Sequence, residues 1–454
     1  MKKLKKMLMK LAKKSLIFRK IFRKSLNICR YIRYKIRGIG LKVDDKTILF
    51  STFDGKSYAD SSKAIYLYMQ SQEKFKGYNF IWVFKKPENY KFLKQNINTK
   101  VVKSGTKKHE KSLLKAKYWI VNHRAADHIY PRKNQVYLQC WHGTPLKRLG
   151  CDLQKTDNAL NTTNELKQKY RTEAKKFTYM TSPSEFATEK FISSFDLKRF
   201  KKEKCIIEEG YPRNDFLYNY NDEDVARIKR ELGIEDINKK IILYAPTWRD
   251  NQHEAGVGYT YKTEVDFDKL QKELGEDYII LFRAHYFVAN KFDFEKYEGF
   301  IYNVSNVDDI NELYVVADML ITDYSSVFFD YANLKRPIIF YMYDIDMYQN
   351  DMRGFYIELD ELPGNIITTE DGLIEDIKNA TNEFKYDEKY KRWTLDTLPF
   401  MPKEFKYEVI PNVEKQFRIV SSLLKAIPRY VSFSVFSHLK ACPQSRVRPT
   451  LKGT

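Results

Sequence analysis

The segment Trp141-His142-Gly143-Thr144-Pro145 follows the apolar run Val136–Cys140, and its residue types are suited to acid–base chemistry. An apolar strand that ends in this segment would present an imidazole at the carboxyl edge of a sheet. An imidazole near neutrality is a suitable general base for a hydroxyl nucleophile. Gly143 lets backbone amides come close to a ligand, and Pro145 suits the start of a helix. The alternative is that His142 only packs or forms a structural hydrogen bond, as single histidines more often do.

A second pair of polar side chains, Arg283 and His285, comes after the apolar run Tyr278–Phe282. Alternate residues of an extended segment share a face, so the two side chains are expected to point the same way. That arrangement suits the binding of a diphosphate. The alternative is an arginine in a structural salt bridge beside a capped helix.

Consecutive hydroxyl residues occur in Thr322-Asp323-Tyr324-Ser325-Ser326, between the apolar run Ala317–Ile321 and an apolar helix predicted over Val327–Leu334. The free N–H groups and the dipole at a helix start make an anion site, and Asp330 would lie one turn further on. Helix capping alone would also explain the two serines.

Three further segments carry polar groups. Gly210-Tyr211-Pro212-Arg213-Asn214-Asp215 and Ala245-Pro246-Thr247-Trp248-Arg249-Asp250 follow apolar runs, although both are also ordinary turn sequences. Asp344-Ile345-Asp346 could hold a divalent metal, and the alternative is a loop with two acids. The sequence contains no GxGxxG, no Walker P-loop, no His-Glu-x-x-His and no Gly-x-Ser-x-Gly, so enzymes that depend on these motifs are not indicated.

From Lys46 onward, short apolar runs alternate with longer helical stretches, which predicts parallel α/β units. Two series of runs predict two doubly wound sheets, whose ligands bind beyond the carboxyl ends of the strands. The predicted strands are Thr47–Phe50, Phe80–Phe84, Tyr118–Asn122, Gln135–Trp141, Phe177–Thr181 and Cys205–Glu208, then Lys240–Tyr244, Tyr278–Arg283, Gly299–Asn303, Met319–Thr322 and Pro337–Tyr341.

A polar stretch at Tyr218–Asp224 is suited to a linker between the two sheets. We therefore predict two domains, over residues 41–217 and 218–427, since the chain exceeds the usual size of one hydrophobic core. The Ser/Pro/Arg-rich stretch 428–454 differs in composition from the rest and is predicted to be a disordered tail.

Residues 1–40 carry fifteen positive charges and no acidic residue, out of a formal net charge of +21. Apolar residues recur at three- and four-residue spacing and basic residues fill the other face, which predicts a basic amphipathic helix. The apolar stretches are too interrupted for a signal peptide or a membrane span, so we expect the helix to lie on an anionic membrane surface. An RNA-binding arm and a solvated helix are the alternatives. The apolar positions are Leu4, Met7, Leu8, Leu11, Phe18, Ile21, Phe22 and Cys29.

The five cysteines are scattered and form no C-x-x-C pair. This pattern indicates neither a disulfide framework nor a zinc site, and it fits a reducing cytoplasmic compartment.

Taken in order, these segments resemble the CDP-glycerol glycerophosphotransferase family, the teichoic acid primases and polymerases of bacterial envelopes. The resemblance covers roughly residues 115–400, and a series of motifs in one order is highly specific. It rests on Trp141–Lys147, Ser182-Pro183-Ser184, Gly210–Asp215, Leu243–Asp250, Arg283-Ala284-His285, Ile321–Tyr331, Arg336–Tyr341 and Arg353–Tyr356.

The resemblance implies a GT-B-like fold, with two Rossmann-type domains around a cleft, no obligatory metal ligand set and no cofactor. It implies that His142 is the general base and that His285 is also essential. The residues that it places along the CDP-glycerol site are Arg213, Pro246, Thr247, Arg283, Ser325, Ser326 and Asp330. To these we add Gly143, Thr144 and Pro145 on the loop of His142 as substrate-binding residues.

The implied reaction is attack of an acceptor hydroxyl on the β-phosphate of the donor, which displaces CMP. The implied partners are CDP-glycerol or a similar CDP-polyol, a lipid-linked acceptor of the undecaprenyl type and an anionic membrane surface at the cytoplasmic face of the cell membrane, with no nucleic acid. The nearest alternative is a GT-B glycosyltransferase that uses a nucleotide sugar for capsule or envelope polysaccharide. A nucleic-acid or membrane-binding scaffold is the alternative from another class.

Overall fold

Two parallel β-sheets organise the chain in a computed structural model that describes residues 16–154, 162–234, 238–247, 253–254, 258–259, 265–283, 292–346 and 354–391. The strands are near-continuous apolar runs, because a parallel sheet is covered on both faces and leaves few positions for polar side chains.

The N-terminal sheet contains β1 (Asp44–Ser51), β2 (Asn79–Phe84), β3 (Thr99–Lys103), β4 (Ala116–Val121), β5 (Val136–Gln139), β6 (Tyr179–Ser182) and β7 (Ile206–Glu208). All pairs are parallel, and the strand order is β3-β2-β1-β4-β5-β6-β7. The order reverses between β1 and β4, which makes that junction the switch point of a doubly wound sheet.

The C-terminal sheet contains β8 (Lys240–Tyr244), β11 (Tyr278–Phe282), β12 (Ile301–Asn303), β13 (Met319–Thr322), β14 (Ile338–Tyr341) and β15 (Asn365–Ile367); between β8 and β11 the chain forms an antiparallel pair, β9 (His253–Glu254) and β10 (Gly258–Tyr259). The order β12-β11-β8-β13-β14-β15 repeats the pattern of the first sheet, with its switch point between β8 and β13.

Helices connect the strands. The α-helices are α1 (Leu16–Arg37), α2 (Asp60–Ser71), α3 (Lys107–Lys115), α4 (Thr163–Ala174), α5 (Glu185–Ser194), α6 (Asp215–Asn219), α7 (Asp222–Glu231), α8 (Phe267–Leu274), α9 (Ile310–Val316), α10 (Val327–Tyr331) and α11 (Glu370–Glu383). Short 3-10 turns lie between them, at Glu73–Phe75, Pro87–Gln95, Gly150–Asp152, Lys198–Phe200, Glu203–Cys205, Pro212–Asn214, Glu295–Tyr297, Ala332–Leu334 and Leu359–Glu361.

Apolar side chains fill both faces of each sheet. Trp82 and Trp119 are fully buried in separate clusters on the two faces of the N-terminal sheet. Ile242 and Leu243 are neighbours in β8 and point into the two clusters of the C-terminal sheet. Each such side chain contributes about 1.5–3 kcal/mol on burial, so both sheets have the cores they need to hold a cleft in place.

Helix α1 lies on the surface of the N-terminal domain and is held there largely by its arginines. Arg19 and Arg23 each lie 3.6 Å from Glu165, at the start of α4, and Arg33 lies 3.1 Å from Glu110 in α3. Tyr34 is the one residue of the helix that is buried among the described side chains. The chain is helical over residues 16–37. The predicted basic amphipathic helix stays a prediction as a whole, because its apolar positions Leu4, Met7, Leu8 and Leu11 lie outside the described residues.

The predicted α/β fold with two doubly wound sheets is confirmed, and several details of the prediction are wrong. The predicted strands do not include β3 and β15, which are short strands at the edges of the two sheets, or the antiparallel pair β9 and β10. The predicted strand Gln135–Trp141 ends at Gln139, and the predicted helix Val327–Leu334 changes to a 3-10 turn after Tyr331. The domain bounds stay a prediction, and residues 428–454 lie outside the described part of the chain.

Candidate functional site

The carboxyl ends of the two sheets face each other across a cleft. Leu146, Lys147 and Arg148 of the N-terminal domain pair with the segment 354–356 of the other domain. Arg148 donates its N–H to the Gly354 carbonyl at 3.0 Å, and Tyr356 donates to the Leu146 carbonyl at 2.9 Å. These bonds fix the loop that begins at His142 against the C-terminal domain. Pro145 does not open a helix, contrary to the prediction, because the residues after it form this bridge instead.

His142 directly overlooks the cleft. Its Nδ1 atom lies 2.9 Å from the backbone carbonyl oxygen of Asn122. A carbonyl can only accept, so Nδ1 carries the proton of the neutral imidazole and Nε2 keeps a free lone pair. The residue is exposed on the cleft side, and protein packs around the rest of the ring and removes water from it. This desolvation is the main influence on the pKa of His142 and lowers it, and the charge of Arg213 lowers it further. The Asn122 hydrogen bond and the charge of Asp60 act in the opposite direction and raise the pKa.

On the opposite wall, Ser325 and Ser326 precede α10. Ser326 occupies the N-cap position but its side chain makes no capping hydrogen bond, so capping alone does not account for it. A β-carbon built on Gly143 would lie 2.8 Å from its Oγ atom. The loop of His142 and the serine loop are therefore in direct contact across the cleft.

The loop after β8 is tied to the loop after β13. Thr247 donates its backbone N–H to the Asp323 carboxylate at 2.8 Å, and the Thr322 hydroxyl donates to the Ala245 carbonyl at 2.8 Å. Pro246 lies between these two anchors. The structure thus brings Pro246 and Thr247 to the same edge of the sheet as Ser325 and Ser326, as the sequence predicted.

Arg213 is buried at the junction of the domains. Its guanidinium donates to both oxygens of Asp330, at 3.1 and 3.2 Å, and to Asp60 at 3.5 Å. It also lies 3.9 Å from the centre of the Tyr211 ring. Burial lowers the pKa of Arg213, but the two carboxylates outweigh this and raise it, so the arginine stays charged. The predicted site residues Arg213 and Asp330 therefore form one buried ion pair.

Among the described residues, the partners of the Arg283 guanidinium are backbone carbonyls and not a carboxylate. Its guanidinium donates to the carbonyl oxygens of Val304 and Val307, at 3.1 and 2.8 Å. Burial lowers the pKa of this guanidinium, with Tyr314 and nearby acids raising it. His285 lies outside the described residues, so the predicted pairing of Arg283 with His285 stays a prediction.

Among the described residues, no group of three or more His, Cys, Asp or Glu side chains is placed to hold a metal ion. In the predicted D-x-D segment, Asp344 accepts a hydrogen bond from the Tyr324 hydroxyl at 3.1 Å. Thr144 is buried behind the His142 loop, with 2% of its surface exposed.

Three residues near His142 were not singled out from the sequence. Asn122 was assigned to the end of a predicted strand, and Asp60 and Phe53 to no motif. The Phe53 and His142 rings lie with centroids 5.9 Å apart. A signal was present, since Asn122 directly follows β4 and Phe53 comes two residues after β1, where polar loops meet at a switch point.

Comparison with known proteins places these features in a family. The sequence profile described as CDP-glycerol:poly(glycerophosphate) glycerophosphotransferase matches residues 33–404. A teichoic acid poly(glycerol phosphate) polymerase of Staphylococcus epidermidis is 41% identical over 354 residues, which cover 76% of this chain and 47% of that protein. A polymerase of the same description from Bacillus spizizenii is 39% identical over 359 residues, covering 79% of this chain and 89% of that protein.

The fold is shared with solved structures of the wall teichoic acid polymerase TagF. One of them, a histidine variant soaked with CDPG, superimposes with a TM-score of 0.74 at 36% sequence identity, covering 90% of this chain and 97% of that chain. The chain spans about half the length of the Staphylococcus epidermidis relative and also of a Bacillus subtilis polymerase, of which it covers 45%.

Proposed function

Because this chain belongs to the CDP-glycerol:poly(glycerophosphate) glycerophosphotransferase family, we propose that it transfers glycerol phosphate from CDP-glycerol to a lipid-linked, teichoic-acid-type acceptor and releases CMP. The observation that carries the proposal is His142. Its Nδ1 is bonded to the Asn122 carbonyl, and its Nε2 makes no hydrogen bond to any of the described residues. The neighbouring Gly143 lies against Ser326 of the other domain. This is the arrangement that a base for an incoming hydroxyl requires.

In the proposed reaction, the acceptor hydroxyl gives its proton to Nε2 of His142 as its oxygen bonds to the β-phosphorus of the donor. The bond between that phosphorus and the bridging oxygen breaks, and the electron pair leaves with CMP. General-base assistance of this kind contributes about a hundredfold to ten-thousandfold in rate. His142 is unprotonated at neutral pH and can accept this proton, because desolvation lowers its pKa.

The donor is proposed to lie along the C-terminal wall. Ser325, Ser326, Pro246 and Thr247 all border the cleft there, and Arg283 stands at the end of β11 beside them. The hydroxyl groups of Ser325, Ser326 and Thr247, with Arg283 and His285, would offset charge on the diphosphate as the phosphoryl group transfers. Arg213 and Asp330 are proposed to shape the wall on which the donor rests, because they form an ion pair with each other.

The membrane is proposed to contact the outer face of α1. Ile21, Ile28, Ile32 and Ile36 lie at seven- and four-residue spacing and are 49–61% exposed. Soluble helices normally turn such a stripe toward the core, whereas α1 turns its arginines toward Glu110 and Glu165 and its isoleucines outward. An outward apolar stripe between basic residues is suited to an anionic bilayer surface. None of the described helices is long and apolar enough to span a bilayer.

A donor screen tests the proposed function. Purified protein with a lipid-linked acceptor on anionic vesicles is offered CDP-glycerol, CDP-ribitol, and a panel of UDP- and GDP-sugars, and nucleotide release is measured. We expect CMP from a CDP-polyol, and none from the His142→Ala variant. Release of UDP or GDP from a sugar nucleotide without any CMP would instead establish the glycosyltransferase alternative.

A further inference from the structure

The two sheets carry the same hydrogen bond at the same place in the fold. Asp323 directly follows β13, and its carboxylate accepts the backbone N–H of Thr247 in the loop after β8, at 2.8 Å. Asn122 directly follows β4, and its Oδ1 accepts the backbone N–H of Phe53 in the loop after β1, at 2.7 Å. Strands β4 and β13 each lie beside the first strand of their sheet. At each switch point, one side chain therefore joins the loops that follow the two central strands.

The side-chain oxygen, the side-chain nitrogen and the backbone carbonyl of Asn122 all form hydrogen bonds. The residue is fully buried. Its Nδ2 donates to Asp60 at 2.9 Å, and its backbone carbonyl accepts from Nδ1 of His142 at 2.9 Å. The Phe53 N–H can only donate and the Asp60 carboxylate can only accept, so the amide has one orientation.

The segments that Asn122 holds are conformationally strained. Phe53 and Asp54 have φ values of 46° and 59°, and Asp60 has a φ of 63°. Non-glycine residues in this left-handed region cost about 1–3 kcal/mol each, and they persist where their surroundings hold them. Asn122 bonds directly to Phe53 and to Asp60, and its carbonyl accepts from His142.

We propose that Asn122 is a positioning residue for His142: its amide locks the Phe53 loop and Asp60, and so holds the carbonyl that sets the tautomer and direction of the imidazole. This inference rests on the proposed function, in which Nε2 of His142 takes the proton of the acceptor. Asn122 itself exchanges no proton and touches no substrate.

The charged and titratable groups around the His142 ring are Asp60, Arg213 and His123. Asp60 also accepts from Arg213 and from the Ser61 N–H. Asp60→Asn and Asn122→Asp therefore change both the contacts that hold His142 and the charge beside it, whereas Asn122→Ala changes the contacts alone.

An exchange of amide and carboxylate tests the proposal. Asn122→Asp alone sets two carboxylates against each other, and Asp60→Asn alone sets two amides against each other. Together they restore each match, because the amide at position 60 can donate to the carboxylate at position 122 and its oxygen can accept from Arg213 and Ser61. Asn96→Asp is the matched control, since Asn96 bonds to Tyr66 near the amino end of β3, away from the cleft.

We expect each single variant to lower kcat about a hundredfold, the scale of a misplaced catalytic group, with donor affinity unchanged. The double variant should recover most of that loss, and Asn96→Asp should keep full turnover. Donor affinity is measured by calorimetry with CDP-glycerol alone. A folded Asn122→Asp variant with unchanged kcat would overturn the proposal, as would a folded double variant that recovers nothing.

NMR of the histidine rings tests the positioning of His142 without requiring the transfer reaction. In donor-free protein labelled at histidine ring carbons, with the His142 signal assigned through His142→Gln, wild-type protein should show the Nδ1–H tautomer. Asn122→Ala removes both side-chain bonds without adding charge and should mix the tautomers. An unchanged tautomer in folded Asn122→Ala overturns the positioning role even if CDP-glycerol is the wrong donor, whereas absent CMP release with the expected NMR result contradicts only the proposed function.

Discussion

Gly143 and Ser326 meet across the cleft so closely that a β-carbon on Gly143 would lie 2.8 Å from the serine Oγ. Heavy atoms this close repel, so Gly143→Ala should force the Ser326 hydroxyl into another rotamer. The hydroxyl then loses its place on the donor wall, at the cost of about one hydrogen bond, or 0.5–1.5 kcal/mol. We expect kcat/KM for CDP-glycerol to fall roughly threefold to tenfold with little change in melting temperature. A Gly143→Ala variant with wild-type kcat/KM would show that Ser326 takes no part in donor binding.

His142→Ala should abolish transfer and leave the fold and donor binding largely intact. The imidazole opens into the cleft and makes its hydrogen bond to a backbone carbonyl, so little packing is lost with it. Loss of a general base lowers kcat by about a hundredfold to ten-thousandfold. Single-turnover CMP release and calorimetry with CDP-glycerol separate the two effects. Near-normal turnover would remove His142 from the role of base.

The pH dependence of turnover should report the lowered pKa of His142. A base works only when unprotonated, and desolvation holds this imidazole unprotonated to a lower pH than the ordinary value of 6.5. The acid limb of the kcat profile should therefore lie below 6.5, with activity lost as the pH falls through it. Asp60→Asn removes a charge that raises this pKa, so it should move the limb lower still. An acid limb at or above 6.5 would contradict the assignment.

Ser326→Ala and Arg283→Ala are both expected to weaken CDP-glycerol binding, but the structure separates their effects on stability. The Ser326 side chain makes no capping hydrogen bond, so its loss should leave the melting temperature unchanged. The Arg283 guanidinium satisfies the carbonyls of Val304 and Val307, and uncovering a buried polar group costs about 1–3 kcal/mol. Thermal unfolding beside calorimetry distinguishes them. Unchanged donor affinity in both variants would mean that the donor wall is misplaced.

The sequence predicted the architecture well because parallel strands are buried on both faces and appear as apolar runs. It missed β3 (Thr99–Lys103), whose Lys100 and Lys103 are exposed because an edge strand is only partly covered. It located His142 and the serine loop from their positions after strands. It could not find the bonds from Asn122 to Phe53 and Asp60, because these join segments far apart in the chain and depend on backbone conformations that no local pattern encodes.

The structure also changes how the membrane prediction is best tested. Deleting residues 1–36 would remove Tyr34, which is buried against the N-terminal domain, so the loss of binding could reflect loss of fold. Point changes on the outward stripe avoid this. Ile28→Glu with Ile32→Glu should leave the arginine contacts with Glu110 and Glu165 in place, because the arginines lie on the opposite face of α1 from the two isoleucines.

We expect the double variant to lose binding to anionic vesicles in sedimentation assays while still binding CDP-glycerol, because two buried isoleucines contribute about 3–6 kcal/mol at an interface. Wild-type binding should also weaken with salt, since the screening length is only about 8–10 Å near physiological ionic strength. Ile97→Glu is the control, because Ile97 is fully exposed in the same domain but far from α1 in sequence and outside the stripe. If Ile97→Glu lowers binding as much as the pair, charge alone is the cause; if the pair leaves binding intact, the membrane contacts another surface of the protein.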